Sequence, residues 1–213
     1  MGKYKKGILG NFRGKVGSVI GSVWKGIYYM RSISETSSAD PSPAQLNARL
    51  RFAMVINFLS NIKTTINVGY QKFTKGITPL NAAASYLLKY GVTGTAPAYE
   101  INYPKVVISV GDLDNLENLS ALSSTPGEIK FDWDVNVGMQ DGLPTDRVTI
   151  VAFCPELDKF ITVRNVVARS ATTYTLSFPA NFSGSAVYLW VMLTSADGKE
   201  VSKSQYMGNL NIL

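Results

Sequence analysis

Apolar and polar residues alternate most cleanly from Ile129 to Val137. Ile129, Phe131, Trp133, Val135 and Val137 fall on one parity, and Lys130, Asp132, Asp134 and Asn136 on the other. A period of two is that of a strand with one buried face. Further strand-like runs are Lys105–Val110, Arg147–Cys154, Phe160–Val167, Thr172–Phe178, Ala186–Thr194 and Glu200–Tyr206, with a short tail at Asn209–Leu213. Turn residues separate them at Pro155-Glu156-Leu157-Asp158, Pro179-Ala180-Asn181 and Ala196-Asp197-Gly198. About seven short strands between turns predict a β-sandwich over residues 105–213.

The period changes upstream. Residues 34–43 form a polar linker, after which Leu46, Leu50, Phe52, Val55, Ile56, Leu59, Ile62 and Ile66 recur at helical spacing. Ser42 suits the N-cap, Pro43 suits N1, Gln45 completes a capping box and Gly69 is the stop, giving a helix over about 43–68. A second helix over about 79–90 has Thr78 as cap, Pro79 at N1 and Gly91 after its end. Residues 91–104 are rich in Gly, Thr, Ala, Pro and Tyr and suggest a connector, so 35–104 is a helical region ahead of the sandwich.

Residues 1–34 differ from the rest. They carry seven basic side chains, seven glycines and no acid. Gly7, Gly10, Gly14, Gly17 and Gly21 step by three and four, which would line one face of a helix. Each interior glycine costs a helix about 1 kcal/mol relative to alanine, and the intervening Val, Ile, Tyr and Trp favour strands. The expectation is therefore β-hairpins from Val16 to Arg31, turning at Trp24-Lys25-Gly26 with Gly26 at positive φ. Overall the fold class is mainly β with a small helical part: an N-terminal β-hairpin ribbon, two helices and a C-terminal sandwich.

Charge sharpens this division. Residues 1–100 hold 13 Lys/Arg against 3 Asp/Glu, or +10, while residues 101–213 hold 8 against 12, or −4. The split suits a polyanion-binding face, or head-to-tail attraction between unlike halves of neighbouring copies; two solvated surfaces of different sign are the plain alternative. Candidate assembly or anion-binding residues on the arm are Lys3, Lys5, Lys6, Arg13, Lys15, Trp24, Lys25, Tyr28, Tyr29 and Arg31.

Several classes of chemistry are disfavoured. The chain has no histidine, which removes Ser-His-Asp and Cys-His catalysis and most zinc sites. Its single cysteine, Cys154, lies in an apolar run, as a buried inert thiol does. No Gly-x-x-x-x-Gly-Lys-[Ser/Thr] motif occurs. Asp132 and Asp134 share one strand face, and Asp112, Asp114 and Glu117 cluster in sequence; solvated surface is the expectation for both groups. No apolar run reaches the roughly 20 residues of a membrane span. Asn11 and Arg13 interrupt the segment after the basic start, so no signal peptide is expected and synthesis in the cytoplasm is.

Two resemblances add to this. Trp133, the string Tyr188-Leu189-Trp190-Val191, the turn Ala196-Asp197-Gly198-Lys199 and the strand Val201-Ser202-Lys203-Ser204 resemble a fibronectin type III or immunoglobulin-like module. The strings Lys6-Gly7-Ile8-Leu9-Gly10, Gly14-Lys15-Val16-Gly17-Ser18-Val19, Trp24-Lys25-Gly26 and Tyr29-Met30-Arg31-Ser32 resemble an uncharacterised Bacteroidota domain-of-unknown-function family, as do Pro43-Ala44-Gln45-Leu46 and Asn81-Ala82-Ala83. That resemblance implies no activity or site. The Pro41–Arg49 stretch also resembles a phrase found in phage structural proteins.

These observations together point to a non-enzymatic structural subunit that self-assembles through its basic, glycine-rich arm, in a virion-like or other ordered particle. The expected partner is the chain itself, with another assembly protein as a further candidate, and no cofactor is expected. The alternatives are a nucleic-acid-binding or packaging protein using the basic arm and its aromatics, and a ligand- or glycan-binding sandwich.

Overall fold

The structure is a computed structural model that describes residues 3–4, 10–24, 26–34, 40–73, 76–134 and 142–213. The chain divides into two units, residues 1–43 and 44–213.

The first unit is a four-stranded antiparallel ribbon in the order β1-β2-β3-β4. Its strands are β1 (Lys3–Tyr4), β2 (Phe12–Val16), β3 (Val19–Trp24) and β4 (Ile27–Ser32). Gly17, at φ 59°, opens the two-residue turn between Val16 and Val19, where a side chain would be strained. Gly26, at φ 82°, serves the next turn, in which Trp24 pairs with Ile27. Lys25, at the centre of the expected turn, lies outside the described residues, as do Lys5 and Lys6.

The second unit begins with helices. The first expected helix is broken in two, α1 (Pro43–Asn61) and α2 (Lys63–Gly69). At the break Ile62 takes φ −113° and ψ 22° and donates its N–H to the Leu59 carbonyl, three residues back. The step keeps Ile62 and Ile66 both in the core. Helix α3 (Pro79–Tyr90) starts as expected: the Thr78 hydroxyl accepts from the Asn81 N–H at 3.2 Å. The expected connector contains a hairpin of β5 (Val92–Thr95) and β6 (Ala98–Ile101).

Seven strands follow: β7 (Glu117–Thr125), β8 (Glu128–Asp134), β9 (Arg147–Cys154), β10 (Lys159–Ala168), β11 (Thr173–Ser177), β12 (Ala186–Thr194) and β13 (Gln205–Asn211). They form a three-stranded sheet, β11-β8-β7, and a four-stranded sheet, β10-β9-β12-β13. That is an immunoglobulin-like sandwich in its fibronectin type III arrangement. Between the sheets lie Ile129, Phe131, Trp133, Ile150, Leu189 and Leu193, with buried Cys154 among them. Val135 and Val137, the end of the expected alternation, fall outside the described residues.

Strands β9 and β12 are buried on both faces. Their other parity, Val151, Phe153, Trp190 and Met192, packs against Val55, Phe58, Leu59 and Ile66 of the helices. This double burial explains why both strands are continuous apolar runs. Helices and sandwich therefore share a core, in three layers.

Two strand expectations are corrected. Lys105–Val110 is not a strand: its backbone partners come from elsewhere, Val110 N–H donating to the Gly69 carbonyl and Ile108 N–H to the Ser204 hydroxyl. The first strand is instead β7, whose apolar positions are sparse because it is a sheet edge. The last strand begins at Gln205, not Glu200, and takes up most of the supposed tail.

Candidate functional site: a two-faced ribbon and two cavities

Cross-strand partners in an antiparallel sheet share a face. The pairings Lys15 with Ile20, Ile20 with Arg31, Ser22 with Tyr29 and Trp24 with Ile27 therefore define one face of β2–β4. It carries Lys15 and Arg31 together with Trp24, Ile27 and Tyr29. The pairings Val16 with Val19, Gly21 with Met30 and Val23 with Tyr28 define the other. That face holds Val16, Val19, Val23, Tyr28 and Met30, with the Phe12 ring against Gly21, and no charge among the described residues. Lys3 pairs with Arg13 on the far side of Gly14, whose φ of 108° breaks the alternation, and Tyr28 is separated from Tyr29 onto the apolar face.

The apolar face is open. Met30 is 71% exposed, Tyr28 56% and Val16 44%. At its centre Gly21 is buried under Phe12: a Cβ there would stand 2.3 Å from the Phe12 carbonyl oxygen and 2.8 Å from the Phe12 ring. Strand β4 closes one edge of the sheet, and all six of its residues are exposed. Its outward N–H and C=O groups form the kind of row to which another strand adds.

In the second unit a groove of about 620 Å³ between α1 and α3 is lined by Phe52 and Leu88, with Arg49, Arg51 and Lys89 at its rim. The Arg51 guanidinium donates to the Leu88 carbonyl at 3.0 Å and lies 5.8 Å from the centre of the Tyr99 ring. A second cavity, of about 510 Å³, is lined by Phe58, Phe153, Tyr99 and Tyr103 and carries Glu100 and Asp158. Tyr103 stacks 4.1 Å from Tyr188 and 5.6 Å from Phe153, centre to centre. Burial pushes the Tyr103 phenol upward, and the charges of Tyr188, Asp158 and Glu100 push it the same way.

Glu100 and Asp158 were not singled out by sequence reasoning. They stand 58 positions apart, and only the packing of β6 beside the β9–β10 turn unites them. The expected acidic groups are placed otherwise. Asp132 pairs with Lys130 at 2.9 Å, and hydrogen bonds from Lys130 and Thr173 hold its carboxyl below the usual range. Asp134 accepts from Asn118, and Asp112 pairs with Lys72. Among the described residues no group of three or more His, Cys, Asp or Glu is placed to hold a metal ion. No helix among them is long and apolar enough to cross a membrane.

The molecule is therefore an immunoglobulin-like sandwich with a helical layer on one sheet and an amphipathic, basic-faced ribbon. A family model described as a family of unknown function (DUF6266) matches residues 11–208, and the chain belongs to that family. No curated protein matches it. Among solved structures, the solution structure of the fn3 domain of human collagen alpha-1(XX) chain is similar at 16% identity and a TM-score of 0.36, covering 48% of this chain and 88% of that one.

Proposed function

We propose that the protein is a non-enzymatic structural subunit that assembles with copies of itself through the N-terminal ribbon, in a virion-like or other ordered particle. The observation that carries this reading is the uncharged face of the ribbon, with Val16, Val19, Tyr28 and Met30 all exposed. Contiguous apolar surface of this kind marks an interaction site, and a small sheet with one uncovered apolar face is marginal in water. A second copy presenting the same face supplies the cover. The absence of histidine from the chain agrees with a role outside catalysis.

The test is a full-length variant with Val16→Glu and Met30→Glu. Both side chains are exposed, so the second unit keeps its circular dichroism and melting temperature. Light scattering at 1 M salt, where contacts between charges are screened, should show the wild type as multimers and the variant as monomer. Multimers of unchanged size in the variant overturn the reading.

One observation favours nucleic-acid binding or packaging as a second reading: Lys15 and Arg31 share a face with Trp24 and Tyr29, cations beside stacking rings. Titrating a fluorescent single strand at several salt concentrations tests it. Under this reading, affinity falls linearly in log–log form with salt, and Lys15→Glu with Arg31→Glu reduces the slope.

A further inference from the structure

Of the two cavities described above, one suits the basic face of the ribbon and the other repels it. The α1/α3 groove is rimmed by Arg49, Arg51 and Lys89, so a ribbon carrying Lys3, Arg13, Lys15 and Arg31 would meet like charge there. The cavity beside β6 offers the reverse: Glu100 and Asp158 with aromatic walls from Phe58, Tyr99, Tyr103 and Phe153, and no lysine or arginine in its lining. Carboxylates set among aromatic faces are the chemistry that holds an ammonium or guanidinium group. The carboxylate supplies charge, the ring faces supply cation–π attraction, and the walls cover the apolar stem of the side chain. The same neighbourhood already draws one guanidinium, that of Arg51 over Tyr99.

We infer that this cavity is a socket for a lysine or arginine side chain from the basic face of a second copy's ribbon. The inference rests on the ribbon-led assembly proposed above and gives that assembly a direction: ribbon of one copy into socket of the next. Such a contact is heterologous, so it propagates as a ring or filament unless another contact closes it. The apolar face of the ribbon stays available for a further copy.

A charge swap tests it with full-length protein. One variant reverses the socket, Glu100→Lys with Asp158→Lys. The other reverses the ribbon, Lys15→Glu with Arg31→Glu. All four side chains are exposed, but Asp158 sits at φ 49°, where a lysine is less at ease than an aspartate, so the socket variant should melt slightly lower and assembly is compared well below both melting temperatures. Each variant alone should need on the order of tenfold more protein to assemble. An equimolar mixture should assemble again, because acidic ribbons then find basic sockets and basic ribbons find acidic ones. The milder Glu100→Gln with Asp158→Asn should weaken assembly without reversing its partner. If the socket variant assembles as wild type does while Val16→Glu with Met30→Glu stays monomeric, the socket is overturned and ribbon-led assembly stands. A mixture that forms nothing larger than either variant forms alone also overturns the socket. A wild type that is monomeric at every concentration overturns both.

Discussion

Arg169 lies directly after β10, 4% exposed, with its guanidinium 3.2 Å from the Asp146 carboxylate, which is 1% exposed. It also donates to the Asp114 carbonyl at 2.6 Å, and its own carbonyl accepts from the Trp133 indole at 2.7 Å. One residue thus ties the loop before β9 to the loop before β7 and to the core tryptophan. Arg169→Met leaves Asp146 charged in the interior. The expected cost is about 3–5 kcal/mol of unfolding free energy, measured by urea denaturation. Tyr70 is a second case. Its hydroxyl donates to the Val107 carbonyl at 3.0 Å, and burial, with Tyr86 adding to it, pushes the phenol well above its ordinary value. A raised folded value means that the stabilisation is complete below the unfolded phenol's pKa, about 10, and is lost as pH rises toward the folded value. Melting temperature should therefore fall above about pH 10, and fall less steeply in Tyr70→Phe. Neither contact was legible in the sequence. Asp146 and Arg169 have no period or spacing to join them, and Tyr70 is simply the residue after the glycine that ends α2.

The elements divide by how much of their pattern is local. Helix α3 was legible because cap, proline and terminal glycine all sit within its own span. Thr78→Ala should cost about 1 kcal/mol, read as a shift in the denaturation midpoint. Strands β9 and β12 announced themselves as apolar runs, although only the helical layer explains why both their parities are apolar. Strand β7 was missed because an edge strand needs few apolar residues, and its acidic start resembled a loop. The break at Ile62 was missed because no proline or glycine marks it; the demands of the core do. In the ribbon, the residue types and the Gly26 turn were legible. The sorting of Lys15 and Arg31 to one face was not, since it depends on the register set by the Gly17 and Gly26 turns. Gly21→Val tests that sheet. Its Cβ collides with the Phe12 backbone, so assembly should be lost while the melting transition of the second unit is unchanged.

At the scale of the whole molecule, the sandwich and helices form one three-layered body, and the ribbon forms a unit of its own. The body has a large internal core, although α1 keeps Leu46, Leu50 and Phe52 exposed; the ribbon has no such core and leaves one apolar face uncovered. That contrast was visible early as a composition shift at residue 34, with seven basic residues, seven glycines and no acid before it. The socket was not, because its two carboxylates and four aromatic walls come from three separate stretches of chain. Assembly through opposite charges should weaken with salt, since screening shortens from about 8 Å at 0.15 M to about 3 Å at 1 M, whereas cover of the apolar face should persist. Raising the salt should thus reduce large assemblies to smaller multimers, not to monomers. The most direct measurement is the mass of the full-length protein by light scattering across a concentration series, beside Val16→Glu with Met30→Glu. The account predicts concentration-dependent multimers for the wild type and, at 1 M salt where the charged contact is screened, a monomer for the variant. A wild type that remains monomeric throughout, with its ribbon intact, would contradict it.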